Sequence, residues 1–138
     1  MKGKNFFVAG IIVVAMFLAG TTVGYASDQD ICKKQIDFYI KIKMNDGLLP
    51  GDEFNPYDFK GVAEAAAAML ENEGQRTHSD KNHAAITKLV SGHLADIQKA
   101  ASSAVEGSVE SVGHSIRFLY LSCKACHKVY RTEMRLRP

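Results

Sequence analysis

Two cysteines and a histidine lie close together in the stretch LSCKACHKVYR, which spans Leu121 to Arg131 of the 138-residue sequence. Cys123 and Cys126 are three residues apart, and His127 follows directly. On a helix, residues three and four positions apart project from one face, so these three side chains point the same way. The residue types are compatible with a zinc site, a thiol redox pair or covalent attachment of haem.

The string Cys-x-x-Cys-His is typical of proteins that carry c-type haem. In such proteins each thiol adds across one vinyl group of the haem, and the adjacent imidazole reaches the iron. Side chains that share one helical face suit this chemistry, because they hold a flat macrocycle along the helix. The motif therefore favours one covalently attached haem c.

Zinc and thiol redox chemistry are the two alternatives to haem. A thiol redox pair usually opens a helix that follows a strand, where the helix dipole lowers a thiol pKa. Here the pair lies near the end of a long predicted helix. A zinc site needs a fourth ligand beside the motif, which Cys32 could supply, although a structural zinc site usually brings a second closely spaced pair.

The first 26 residues have the features of a secretory signal. Two lysines precede an apolar run of 15 residues, Phe6 to Gly20, and small residues lead up to Ala26. We therefore predict a signal peptide over 1–26, an exported mature domain over 27–138 and a periplasmic location. An uncleaved membrane anchor is the alternative, although a membrane span needs about 20 apolar residues.

The charge balance excludes some classes of partner. The chain has 17 Lys and Arg against 15 Asp and Glu, and two of the lysines lie in the predicted signal. The mature domain is therefore neutral, which gives no support to binding of nucleic acid or of an anionic membrane surface. Three cysteines cannot all pair with one another, so at least one has a role other than an internal disulfide.

Apolar residues at helical spacing predict four helices and an all-α fold. The first helix covers Asp30 to Asp46, although FYIKIKM at 38–44 also alternates like a strand. The second has Asn55 as its N-cap and ends at Gly74. The third follows a cap at Ser79 or Asp80 and is interrupted at 101–103, and the fourth covers 105–130. Four helices with short loops predict an antiparallel four-helix bundle.

The position of the Cys-x-x-Cys-His motif in this helical domain, the KVYR that follows it and NPYDF at 55–59 resemble the class II cytochromes c. That family includes cytochrome c′ and the low-spin cytochromes c556. The resemblance implies an exported four-helix bundle with haem on the last helix, and it favours a helix over 38–44. The chain departs from the family pattern at Ile40, where an arginine is frequent, and at Tyr120, where a glycine is frequent.

The resemblance also implies roles for individual residues. Cys123 and Cys126 match the thioether positions, and His127 matches the proximal ligand of the iron. Arg131 matches a basic residue near the haem, although a cation in the last turn of a helix is favourable in any case. Met44, five residues after Tyr39, matches the distal position and is our predicted sixth ligand.

The distal position decides between two functions. Methionine and histidine together raise the reduction potential of haem iron, which suits electron transfer. We therefore predict a mono-haem one-electron carrier that serves redox partner proteins, with no catalytic residue. If Met44 only packs as an apolar side chain, the alternative is a protein with five-coordinate haem iron that binds gases such as NO or CO. Met69 is a possible substitute for Met44 as the iron ligand. The resemblance also implies a homodimer as one assembly.

The remaining candidates have simpler interpretations. We expect Cys32 to be a small buried residue, with an intermolecular disulfide as the alternative. His93 lies on an apolar stripe and is predicted to be a core residue. His78 and His83 lie around a polar loop and are predicted to be exposed to solvent.

Overall fold

The computed structural model of the protein describes residues 28–130. Within this range it contains no strand and four helices, which are α1 (Asp28–Met44), α2 (Phe59–Gly74), α3 (Lys81–Ser103) and α4 (Ser108–Tyr130). The all-α prediction is therefore confirmed. The predicted signal segment 1–26, its cleavage site and Arg131 lie outside the described residues.

Helix α1 includes the segment 38–44 that also alternates like a strand. Its buried residues Ile31, Gln35 and Ile42 are four and seven positions apart, which is the spacing of one helical face. The helix ends at Met44, and Gly47 then adopts a left-handed backbone with φ of 90°. Glycine takes this conformation at no steric cost, so the chain turns here.

The N-cap of helix α2 lies three residues later in the sequence than predicted. The N-cap is Asp58, whose carboxylate accepts a hydrogen bond of 2.8 Å from the backbone N–H of Gly61. The predicted cap Asn55 is wrong, because its own backbone N–H donates to Asp52 at 2.9 Å within the preceding turn. Both residues have the side-chain chemistry of a cap. The end of α2 at Gly74 agrees with the prediction.

Helices α3 and α4 follow the predicted order. Asp80 is the N-cap of α3 and accepts from the backbone N–H of His83 at 2.8 Å. The predicted interruption at 101–103 is the end of α3, after which Ala104 adopts a left-handed backbone with φ of 49°. Helix α4 starts at Ser108 rather than at 105, so Gly107 precedes the helix instead of weakening its interior.

The helices pack in chain order as a bundle, with α1 against α2, α2 against α3 and α3 against α4. Residues that are fully or almost fully buried form one core between them, which includes Ile42, Val62, Ala66, Leu94, Ile97, Val112, Ile116 and Leu119. Helices α1 and α4 are not one of these closely packed pairs. No helix in the described part of the chain has the length and apolar character needed to cross a membrane.

Side-chain contacts show which helix ends lie together. The Tyr130 hydroxyl at the end of α4 donates to Asp80 at the start of α3, at 2.9 Å. Cys32 near the start of α1 contacts His127 near the end of α4. The end of α4 therefore lies beside the starts of α1 and α3, as expected for antiparallel neighbours in a bundle.

Candidate functional site

The last two turns of α4 position the cysteine and histidine side chains. Cys123, Cys126 and His127 are each partly buried. Cys123 packs against the bundle core that contains Ile116 and Leu119 from the same helix. The structure thus brings the three motif residues together at one end of the bundle, between the core and the surface.

Helix α1 faces the motif across what we call the seam, formed by Cys32 and Tyr39 of α1 and by Cys123 and His127 of α4. Cys32 Sγ lies 4.0 Å from His127 Nε2. Burial raises the pKa of the Tyr39 phenol, and the nearby Cys123 thiol adds to this effect although Lys43 opposes it. The two helices therefore meet through side chains at the seam.

The α1 side of the seam presents apolar surface. Ile36 and Ile40 lie one and two turns after Cys32 on the same face of the helix, and both are about half exposed. Tyr120 of α4 is also about half exposed, three residues before Cys123. Cys32 is therefore followed on its own helical face by apolar side chains that reach the surface.

A buried polar network lies next to the seam. The Arg76 guanidinium donates two hydrogen bonds to Glu73, at 2.6 and 2.8 Å, and one to Asp28 at 3.3 Å. Gln35 also donates to Glu73. Arg76 further reaches Cys32 Sγ at 4.0 Å. The network therefore joins α2 to the start of α1 directly beside the Cys32 thiol.

Pairing with Glu73 keeps the Arg76 guanidinium charged. Burial alone would lower the pKa of the Arg76 guanidinium, but the hydrogen bonds and charge of Glu73 raise it overall. Gln35 Oε1 is buried and has no hydrogen-bond partner among the described residues. A buried acceptor of this kind is normally satisfied by water or by a bound group.

The environment of the motif keeps both of its thiols protonated. Burial raises the pKa of Cys123 to about 12, and the neighbouring Glu73 carboxylate adds to this effect. Burial also raises the pKa of Cys126, although Arg76 opposes the change. Reactive redox cysteines need the thiolate near neutral pH. The site therefore lacks the electrostatics of a thiol redox pair.

This burial predicts slow alkylation of Cys123 in haem-free protein. At pH 8, iodoacetamide should modify Cys123 in the folded protein on the order of tenfold more slowly than Cys123 in urea. The folded protein has a smaller fraction of Cys123 as thiolate, and this outweighs the greater nucleophilicity of a thiolate with a high pKa. The pKa of Cys123 is higher in the folded protein than in the unfolded protein. The free energy of unfolding should therefore fall as the pH increases from about 9 towards 12. The alkylation rate of folded Cys123 should rise over the same range, because more of the thiol becomes thiolate. Peptide mass spectrometry gives the rate at each cysteine. Equal rates in folded and unfolded protein would contradict the predicted protection.

The described residues contain no preformed zinc site. Within residues 28–130, no group of three or more His, Cys, Asp or Glu side chains is arranged to hold a metal ion. Cys32 nevertheless lies on the motif side of α1, where it contacts His127 and Arg76. This position differs from the predicted one of a simple buried residue, because the thiol is only partly buried and faces polar groups.

The seam has the chemistry that a covalently attached haem needs. Two thiols and one imidazole share one face of α4, and Ile36 and Ile40 offer apolar surface on the facing helix. Helices α1 and α4 are not closely packed against each other, and Gln35 Oε1 is an orphaned buried acceptor near the same helix end. These residues fit the group.

Met44 lies at the opposite end of α1 from Cys32. Met44 is the last residue of α1, and its side chain is 73% exposed. An α-helix rises 1.5 Å per residue, so Met44 lies about 18 Å along α1 from Cys32, the residue that contacts His127. The substitute ligand Met69 is buried in the core.

One of the other histidines departs clearly from its predicted burial. His93 is partly buried, and its ring stacks on Phe118 with centroids 5.6 Å apart. His83 was expected to be exposed, and that prediction is wrong: it is fully buried beneath the stacked ring of Tyr130, with centroids 4.6 Å apart. Sequence periodicity gives no signal for this contact, which depends on the end of α4 covering the start of α3.

Comparison with known proteins gives no family or relative from which a function of this site could be inferred. No protein-family model matches the chain, and no curated protein is significantly similar to it.

Proposed function

We propose that this protein is an exported c-type cytochrome that carries one covalent haem c and transfers single electrons. The observation that carries the proposal is the Cys-x-x-Cys-His motif on one face of α4, partly buried and facing an apolar surface of α1. When bound, the haem supplies an iron centre that accepts and returns one electron. The resemblance to class II cytochromes c supports the same function.

Each motif residue has one role in this proposal. Cys123 and Cys126 form the two thioethers, which fix the group to α4. His127 is the proximal ligand, and the helix that carries it is anchored to the core through Ile116 and Leu119. Because these groups only hold and tune the iron, no side chain acts as a catalytic residue.

The site lies where redox partner proteins can approach. Cys123, Cys126 and His127 are only partly buried, and Tyr120 one turn before Cys123 is about half exposed, so the distance from the site to the surface is short. We propose a periplasmic location from the signal predicted over 1–26, since haem is attached to exported proteins in that compartment. Arg131 remains a predicted neighbour of the haem, and a homodimer remains the assembly that the resemblance implies.

Gas binding is the second candidate function. It is favoured by one observation, the exposed position of Met44 at the opposite end of α1 from Cys32. Without a protein ligand on the far side, the iron would be five-coordinate and open to NO or CO. Met44 as the sixth ligand stays a prediction for which the described contacts offer no support.

Carbon monoxide distinguishes the two candidates. The protein is matured in a periplasm that contains haem-attachment machinery, reduced, and exposed to the gas while its visible spectrum is recorded. A low-spin spectrum that is indifferent to the gas, together with a reversible one-electron titration, is the expected result. A prompt spectral shift on gas addition would instead support the gas-binding function.

A further inference from the structure

We infer that the Cys32 sulfur is the axial ligand on the opposite side of the iron from His127. This inference rests on the proposed function and names the ligand that completes its site. Cys32 lies in α1 with its Sγ 4.0 Å from Nε2 of His127. Its thiol is not needed for either thioether of the motif.

The distance between the two donor atoms is compatible with ligation of one ion by both. Bond lengths at protein-bound zinc, about 2.0 Å to imidazole nitrogen and about 2.3 Å to thiolate sulfur, set the scale for a first-row metal. Two such ligands on opposite sides of one ion are about 4.3 Å apart. The observed 4.0 Å between Cys32 Sγ and His127 Nε2 is close to this value.

The surroundings of Cys32 suit a negatively charged ligand. The Arg76 guanidinium lies 4.0 Å from Cys32 Sγ and is held there by Glu73 and Asp28. A metal ion that binds a thiol takes it as the thiolate. The positive charge of Arg76 is therefore positioned to stabilise the thiolate of Cys32. Glu73 and Asp28 also pair with Arg76, so they weaken this stabilisation.

Helix register favours Cys32 over Met44. Ile36 and Ile40 follow Cys32 on the same face of α1, whereas Met44 is about 18 Å further along the helix than Cys32. Cys32 is also partly buried, while Met44 is largely exposed. A thiolate donates electron density to haem iron, whereas methionine raises its potential. Cys32 ligation therefore predicts a lower reduction potential than a His and Met pair would give.

The test compares holoprotein variants that differ on the far side of the iron. Wild type, Cys32→Ala, Cys32→Met and Met44→Ala are matured with the haem-attachment machinery, and ferric absorption and electron paramagnetic resonance spectra are recorded. Wild type should be low-spin with the resonance pattern of a thiolate ligand and without a far-red thioether band. Cys32→Ala should convert most of the iron to high spin, and Met44→Ala should leave the spectrum unchanged.

Two further readouts separate ligation from a structural effect. Cys32→Met supplies a thioether at the same place and should remain low-spin, gain the far-red band and shift the potential upwards. Circular dichroism of each variant reports whether the bundle is intact, and the wild-type resonance spectrum tests the ligand without any substitution.

The outcomes distinguish a failure of Cys32 ligation from a failure of the proposed haem attachment. Covalent haem with a wild-type thioether band that Met44→Ala removes would overturn Cys32 and support Met44. Covalent haem with identical spectra in wild type and Cys32→Ala would also overturn it while leaving the cytochrome assignment intact. Wild-type protein that carries no covalent haem would overturn both.

Discussion

Replacing both Cys123 and Cys126 with alanine should abolish covalent haem attachment completely. The thioether bonds are the proposed covalent links, and the described chain offers only one other thiol, Cys32, on a different helix. His127 alone could hold haem only reversibly. Haem-associated peroxidase staining after denaturing electrophoresis measures the covalent fraction, and the double variant should show none.

Cys32→Ala is the matched control for this experiment, because it removes a thiol from the same cluster without removing a proposed thioether. It should keep wild-type covalent haem content even where its spectrum changes. Undiminished covalent haem in the Cys123→Ala, Cys126→Ala double variant would show that the attachment sites have been assigned wrongly.

Replacing Arg76 with alanine should destabilise the folded protein by about 3–5 kcal/mol. The side chains of Arg76 and Glu73 are only 6% and 3% exposed, and the substitution leaves the Glu73 carboxylate buried without its cation. It also removes the link from α2 to Asp28 at the start of α1. Urea denaturation of holoprotein, followed by circular dichroism, measures the change in the free energy of unfolding.

The chain contains a matched control for the buried pair. Lys60 and Glu64 form an ion pair of 3.8 Å on the surface of α2, and both are largely exposed. Lys60→Ala should therefore cost less than about 1 kcal/mol. Adding Glu73→Gln to Arg76→Ala should recover part of the loss, because it removes the unpaired buried charge. Equal stabilities of Arg76→Ala and Lys60→Ala would contradict this account of the network.

Local sequence signals predicted the helices because each signal acts within a few residues. Apolar spacing identified all four helices, and Asp80 was recognised as one of two candidate caps of α3. The cap of α2 was missed because Asn55 and Asp58 have similar chemistry. The choice depends on Asp52, which accepts from the backbone N–H of Asn55 and so commits that residue to a turn.

The candidate site was predicted only where its residues are neighbours in sequence. Cys123, Cys126 and His127 form one string, whereas the pairing of Arg76 with Asp28 crosses 48 positions. The three-residue spacing of Glu73 and Arg76 at the end of α2 was the one local signal for that network.

The position of Cys32 could have been anticipated from topology. In an antiparallel bundle of four helices, the end of the last helix lies beside the start of the first. Cys32 is near that start and Met44 is at the other end of α1. Met44, five residues after Tyr39, stays the ligand that the resemblance implies, whereas the contact seen in the structure joins His127 to Cys32 in the first turns of α1.

The intact mass of the wild-type protein after maturation in a periplasm with haem-attachment machinery tests the central claim most directly. Denaturing acid solvent removes any haem that is held only through His127, so the remaining mass reports covalent attachment. We expect the mass of the mature chain plus one haem, with the haem-bearing peptide containing Cys123 and Cys126. A mass equal to that of the polypeptide alone, from cells that mature another c-type cytochrome normally, would contradict it.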